Sequence, residues 1–134
     1  MSNDIYSLES ILTSNGPDVP HKQKAPDGTY EFVLRSAKMK DGGLVFTLQP
    51  SKCLTDESVN CAMLDVVFAS WTERSPEFAR QELAELVADH KLSGQFIDAL
   101  GDLAGKYYRG TLATKGDYQN VQRLRLIKDD NIPY

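Results

Sequence analysis

Cysteine and histidine are scarce: Cys53, Cys61, His21 and His90 are the whole supply. Their spacing matches no structural or catalytic zinc pattern, so a metal site has little support. The cysteines flank the polar segment Thr55-Asp56-Glu57-Ser58. Two incidental or buried thiols in a reducing compartment are favoured, with a disulfide across a hairpin as the alternative. No apolar run approaches the roughly 18 to 20 residues that a spanning helix needs. The N-terminus also lacks the basic start and apolar core of a secretory signal, so a cytoplasmic chain with no membrane partner is expected. A Gly-rich phosphate loop followed by Lys-Ser/Thr is missing, as is any motif that would place a carboxylate pair; neither an enzyme nor a cofactor is expected. Asp98 and Asp102, one helical turn apart, read as a solvated helix face, and nothing in the sequence brings Cys61 to His90.

What the chain does have is charge separated by region. The formal total is -4 over 134 residues, which by itself disfavours nucleic acid as a ligand. Residues 104–128, however, carry Lys106, Arg109, Lys115, Arg123, Arg125 and Lys128 against Asp117, a net of +5. Residues 29–55 are at +2 and residues 56–103 at -7. A nucleic-acid footprint is judged by where positive charge gathers, not by its total.

The hydrophobic period gives the elements. Residues 1–28 form an N-terminal arm or linker. Ile5, Leu8, Ile11 and Leu12 suit a short helix that Asn15-Gly16-Pro17 stops, and Pro20, Pro26 and Gly28 follow. A peptide packed on the domain is its first reading, with a dimer arm or a disordered segment as the others. From Thr29 the alternation Tyr30, Phe32, Leu34 marks a strand; Asp41-Gly42-Gly43 is a turn; Leu44, Phe46 and Leu48 mark a second strand ended by Pro50. A third strand is read over Val59–Ser70, with Ala62, Leu64, Val66 and Phe68 on one face. Ser75-Pro76 opens a helix through about Lys91, with Ser75 as cap. A second short helix carries Phe96, Ile97, Leu100 and Leu103 up to Gly105. Strands return over Tyr107–Lys115 and Tyr118–Ile127, separated by Gly116-Asp117. Three strands, a helical segment and two strands are the order of a five-stranded OB-fold barrel, a mainly β architecture whose middle strands and loops hold oligonucleotides. The same order fits a helix-backed antiparallel sheet.

Binding a single strand takes cations for the phosphates and exposed rings for the bases. The final hairpin offers Tyr107, Arg109, Lys115, Tyr118, Arg123 and Arg125. Arg123 and Arg125, two apart, are expected on one strand face, as are Tyr107 and Arg109, with Tyr108 on the other. Arg35, Lys38 and Lys40 extend the surface, and Trp71 is a candidate stacking platform or core lid. Tyr30, Phe32 and Phe46 are assigned to packing.

The chain ends in Asp129-Asp130-Asn131-Ile132-Pro133-Tyr134. This resembles the acidic, hydrophobic terminus of bacterial single-stranded DNA-binding proteins, with Asn131 in place of an acidic residue and Tyr134 in place of the terminal phenylalanine. The resemblance implies that Asp129 and Asp130 steer, and Ile132, Pro133 and Tyr134 anchor, a replication or recombination protein. The long linker that precedes this tail in the bacterial family is missing. Residues Gly116 to Val121 look like the last hairpin of bacteriophage OB-fold single-stranded DNA-binding proteins. Together these imply residues 29–128 as a domain that binds single-stranded DNA with little sequence preference, and 129–134 as a tail for partner proteins or for the chain's own groove. A homo-oligomer is compatible with this reading. The alternative is an OB-like interaction adaptor or inhibitor that binds no nucleic acid.

Overall fold

The computed structural model describes residues 22–127. The expected helix at Ile5–Leu12 and the terminal hexapeptide lie outside them. The described chain is mainly β, with strands β1 (Gly28–Lys40), β2 (Gly43–Cys53), β3 (Val67–Trp71), β4 (Tyr107–Lys115) and β5 (Tyr118–Leu126). Helix α1 (Glu77–Asp89) and a 3-10 segment (Phe96–Asp102) fall between β3 and β4. All strand pairs are antiparallel, in the order β3-β2-β1-β4-β5.

Turn chemistry fixes the two hairpins. Asp41 and Gly42 both have positive φ, 52° and 80°, in the two-residue turn between the paired Lys40 and Gly43; this is the turn whose twist matches that of its strands. Gly116, at φ 63°, opens the turn between Lys115 and Tyr118. Alternation then buries Tyr30, Phe32 and Leu34 of β1, Leu44, Phe46 and Leu48 of β2, and Tyr108 and Leu112 of β4, with Leu86 of α1 and Leu100 and Leu103 from the 3-10 region closing the core.

Several expectations need correction. The third strand spans Val67–Trp71, not Val59–Ser70; Cys61–Met63 is a 3-10 turn capped by Asn60, whose Oδ1 accepts from the Ala62 amide. Asp56 likewise accepts from the amide and hydroxyl of Ser58. Such short polar side chains offer the backbone local partners that compete with a ladder. The second strand passes through Pro50 to Cys53, with a register shift beside Pro50, the setting in which a sheet tolerates proline. Ser75 does not cap α1: its hydroxyl accepts from the Thr72 amide at 2.9 Å, and the N-terminus carries no side-chain cap. Among the described residues, no helix is long and apolar enough to cross a membrane.

The sheet curls without closing by hydrogen bonds. Its edge strands β3 and β5 come within 8 Å between Cα atoms. Part of the β5 edge is taken by α1: the Arg123 amide donates to Glu82 Oε1 at 3.1 Å and the Leu126 amide to Asp89 Oδ2 at 3.3 Å. Carboxylates thus satisfy ladder donors at an otherwise open edge. At the other end, Gln23 bridges to Leu64, and the Asp27 carboxylate accepts from the Thr114 amide, the Thr114 hydroxyl and Gln119, at 2.9, 2.8 and 3.1 Å. Residues just before β1 therefore brace the β4–β5 hairpin.

Candidate nucleic-acid interface

Register defines the outward face of the sheet. Lys40 and Lys38 of β1 lie opposite Gly43 and Val45, and Val45 opposite Ser70. The next row is Ser36, Thr47 and Phe68. Further along, Val33 is flanked by Gln49 and Tyr107, and Glu31 by Lys52 and Arg109. Arg109 pairs with Arg125, and Lys115 with Tyr118. The face thus carries cations at both ends and in its middle, with aromatic rings interspersed.

The rings sort by strand parity. Tyr107 is 50% exposed and Tyr118 81%, whereas Tyr108 is fully buried. Tyr108 bonds through its hydroxyl to His90 Nε2 at 2.7 Å, while His90 Nδ1 donates to the Leu86 carbonyl at 2.8 Å; this pins the end of α1 to β4. Trp71 does not present a stacking face. Val67, Ala69 and Trp71 point inward, Trp71 is only 8% exposed, and its ring packs edge-on against Phe46 at 5.5 Å between centroids. The same parity turns Phe68 outward, 49% exposed, whereas the longer third strand expected from the sequence had apolar residues on both faces and did not single it out. Phe68 and Trp71, three positions apart on one strand, fall on opposite faces, and the buried pattern of Val67, Ala69 and Trp71 fixes which of them faces outward.

The arginines also differ from expectation. Arg109 pairs with Arg125 and Thr111 with Gln122, so β5 holds an extra residue opposite Gly110. Arg123 sits in this bulge at φ 55°. Val121 and Leu124, three apart, are consequently both buried, and Arg123 and Arg125 are not related by simple alternation. Arg125 is engaged by α1: Nε and Nη2 contact Asp89 at 2.6 and 2.7 Å, and Nη1 contacts Glu85 at 3.3 Å. The Arg125 guanidinium, helped by the Leu126 amide, holds the Asp89 carboxyl below the usual carboxylate range. Arg35 lies exposed at a β1 register shift, and Lys38, Lys40, Lys115 and Arg123 are exposed as well.

Sequence reasoning missed Phe68, Lys52 and the carboxylates of α1. The spacing of Glu82, Glu85 and Asp89 along one helix face was legible, as was the contrast between an acidic helical segment and a basic final hairpin; their contact in space was not. Cys53 and Cys61 are free, buried thiols, and no cluster of His, Cys, Asp and Glu among the described residues is arranged to hold a metal ion. Comparison with family models, curated proteins and solved structures finds no match to this chain.

Proposed function

We propose that this protein binds single-stranded nucleic acid, foremost DNA, along the outer face of its curved sheet, non-catalytically and with little sequence preference. The observation that carries the reading is one surface on which Phe68, Tyr107 and Tyr118 are exposed among Lys38, Lys40, Arg109 and Lys115. Rings stack on any base, and lysine and arginine neutralise phosphates, so this combination favours affinity without a sequence code. Lys38 lies two strands and one two-residue step from Phe68, roughly 12 Å between Cα atoms from standard sheet spacings. A lysine side chain can meet the phosphate of a nucleotide whose base rests on Phe68 across that distance.

The finer fold reading is an OB barrel. The strand order β3-β2-β1-β4-β5 is that of such a barrel opened between β3 and β5, and the position of α1 between β3 and β4 fits it. In this reading the terminal hexapeptide docks replication or recombination proteins, or the chain's own cationic face.

Titrating a labelled oligothymidylate by fluorescence anisotropy tests the function. Binding that weakens steeply with salt and exceeds binding to duplex is expected. Undetectable or salt-insensitive binding would overturn it and favour an interaction adaptor, a reading to which the neutralised Arg125 lends some weight.

A further inference from the structure

The geometry points to a shielded phosphate-binding cleft between the C-terminal end of α1 and the outer face of β4 and β5, formed by Lys91, Arg109 and Arg125 and filled at rest by the carboxylates of Glu85 and Asp89. It rests on the single-strand reading and adds a second contact region whose use is controlled by the helix. The cleft measures about 490 Å³ and is lined by Glu85, Ala88, Asp89, Lys91, Arg109, Arg125 and Leu126. Its cations come from three elements. Lys91, at φ 51°, follows the end of α1, while Arg109 and Arg125 face each other in the β4–β5 ladder.

Like charges placed directly opposite destabilise a sheet pair, so an anion beside these arginines is favourable. Asp89 supplies one in the two-pronged geometry that a guanidinium also offers a phosphate. Glu31 lies across from Arg109 on β1 and supplies part of the remaining negative charge. The carboxylates therefore stand where phosphodiester oxygens would stand.

The brace has a loose arm, Glu85, and a firm one, the two-pronged Asp89 contact. The Arg125 and Glu85 side chains are 50% and 54% exposed, and an ion pair at such positions adds little to stability. Asp89 is more enclosed, at 19%. A strand already held on the Lys38–Phe68 region presents its next phosphates at high local concentration, which favours exchange of carboxylate for phosphate.

The test compares variants of the full chain in oligothymidylate titrations over a salt series. Asp89→Asn keeps a hydrogen-bond acceptor beside Leu126 but removes the charge. It is expected to tighten binding about three- to tenfold at low salt and to steepen the log–log salt slope by about 0.7, one added phosphate contact. The gain should vanish in the Asp89→Asn/Arg125→Gln double variant. Asp98→Asn makes the same charge change on the exposed 3-10 segment and should give no comparable gain. Should Asp89→Asn misfold, Glu85→Gln, which alters the more exposed contact, should shift affinity in the same direction. Equal gains from Asp98→Asn would reduce the effect to bulk charge and overturn the cleft. No gain from either brace variant, while the parent chain binds and Lys38→Ala weakens it, would overturn the cleft but leave the single-strand reading standing. A parent chain that binds no oligonucleotide even at low salt would overturn both.

Discussion

Gly110 illustrates how one residue sets the geometry of the basic hairpin. It lies opposite the β5 bulge, where an added Cβ would come within 2.8 Å of Val121 Cγ1, 3.1 Å of Leu124 Cδ1 and 3.2 Å of the Gln122 carbonyl oxygen. Gly110→Ala should therefore cost about 1 to 3 kcal/mol, the usual penalty for overpacking, read from chemical denaturation. Phe68 and Trp71 make a second residue-scale contrast. Removing the half-exposed ring in Phe68→Ala should leave thermal stability nearly unchanged while costing about 1 to 3 kcal/mol of oligonucleotide affinity, the worth of one stacked base. Trp71→Ala should instead cost about 3 to 5 kcal/mol of stability, because it hollows the core; calorimetry and anisotropy on both variants separate the two roles.

At the scale of elements, α1 serves the β5 edge as much as the core. Asp89 receives Arg125 and the Leu126 amide, and Glu82 receives the Arg123 amide. The folded-state pKa of Asp89 is lowered by Arg125, and that of Asp27 by Thr114 and Gln119. Because both are depressed, their stabilisation is present above the ordinary Asp value of about 3.9 and is lost as pH falls through the lower folded-state values. Melting temperatures should drop across that acidic window, with a smaller drop in Asp27→Asn. The β4 strand and both hairpin turns were legible because alternation and positive-φ turn residues are local signals, and β5 was bounded by its turn although its bulge breaks the alternation. The third strand was not: Asn60 and Asp56 divert the backbone through contacts of their own, within a run whose two faces are both apolar. The role of α1 was hidden for another reason, since charge spacing along a helix does not say which strand edge it meets.

For the molecule as a whole, the regional charges read from sequence become a question of competition. The acidic helix already offsets Arg125, and the terminal Asp129 and Asp130 add two more carboxylates close in sequence to the end of β5. Deleting residues 129–134 should tighten oligonucleotide binding, most at low salt where screening is weakest. Titrations of the full and shortened chains at two ionic strengths check this, and unchanged affinity would leave the tail to partner docking alone. The exposed Phe68 ring and the lysines of β1 and β2 lie away from the α1 brace, so the parent chain is expected to engage a strand there first.

The lone tryptophan also gives the protein an optical property. Trp71 ends an edge strand, closed in and set edge-on to Phe46, so its emission should be blue-shifted and poorly quenched by iodide while the chain is folded. A strand stacking on Phe68 and the tyrosines would leave that emission largely unchanged. Intrinsic fluorescence therefore follows the integrity of the β3 edge, and ligand occupancy must be followed with a dye on the oligonucleotide.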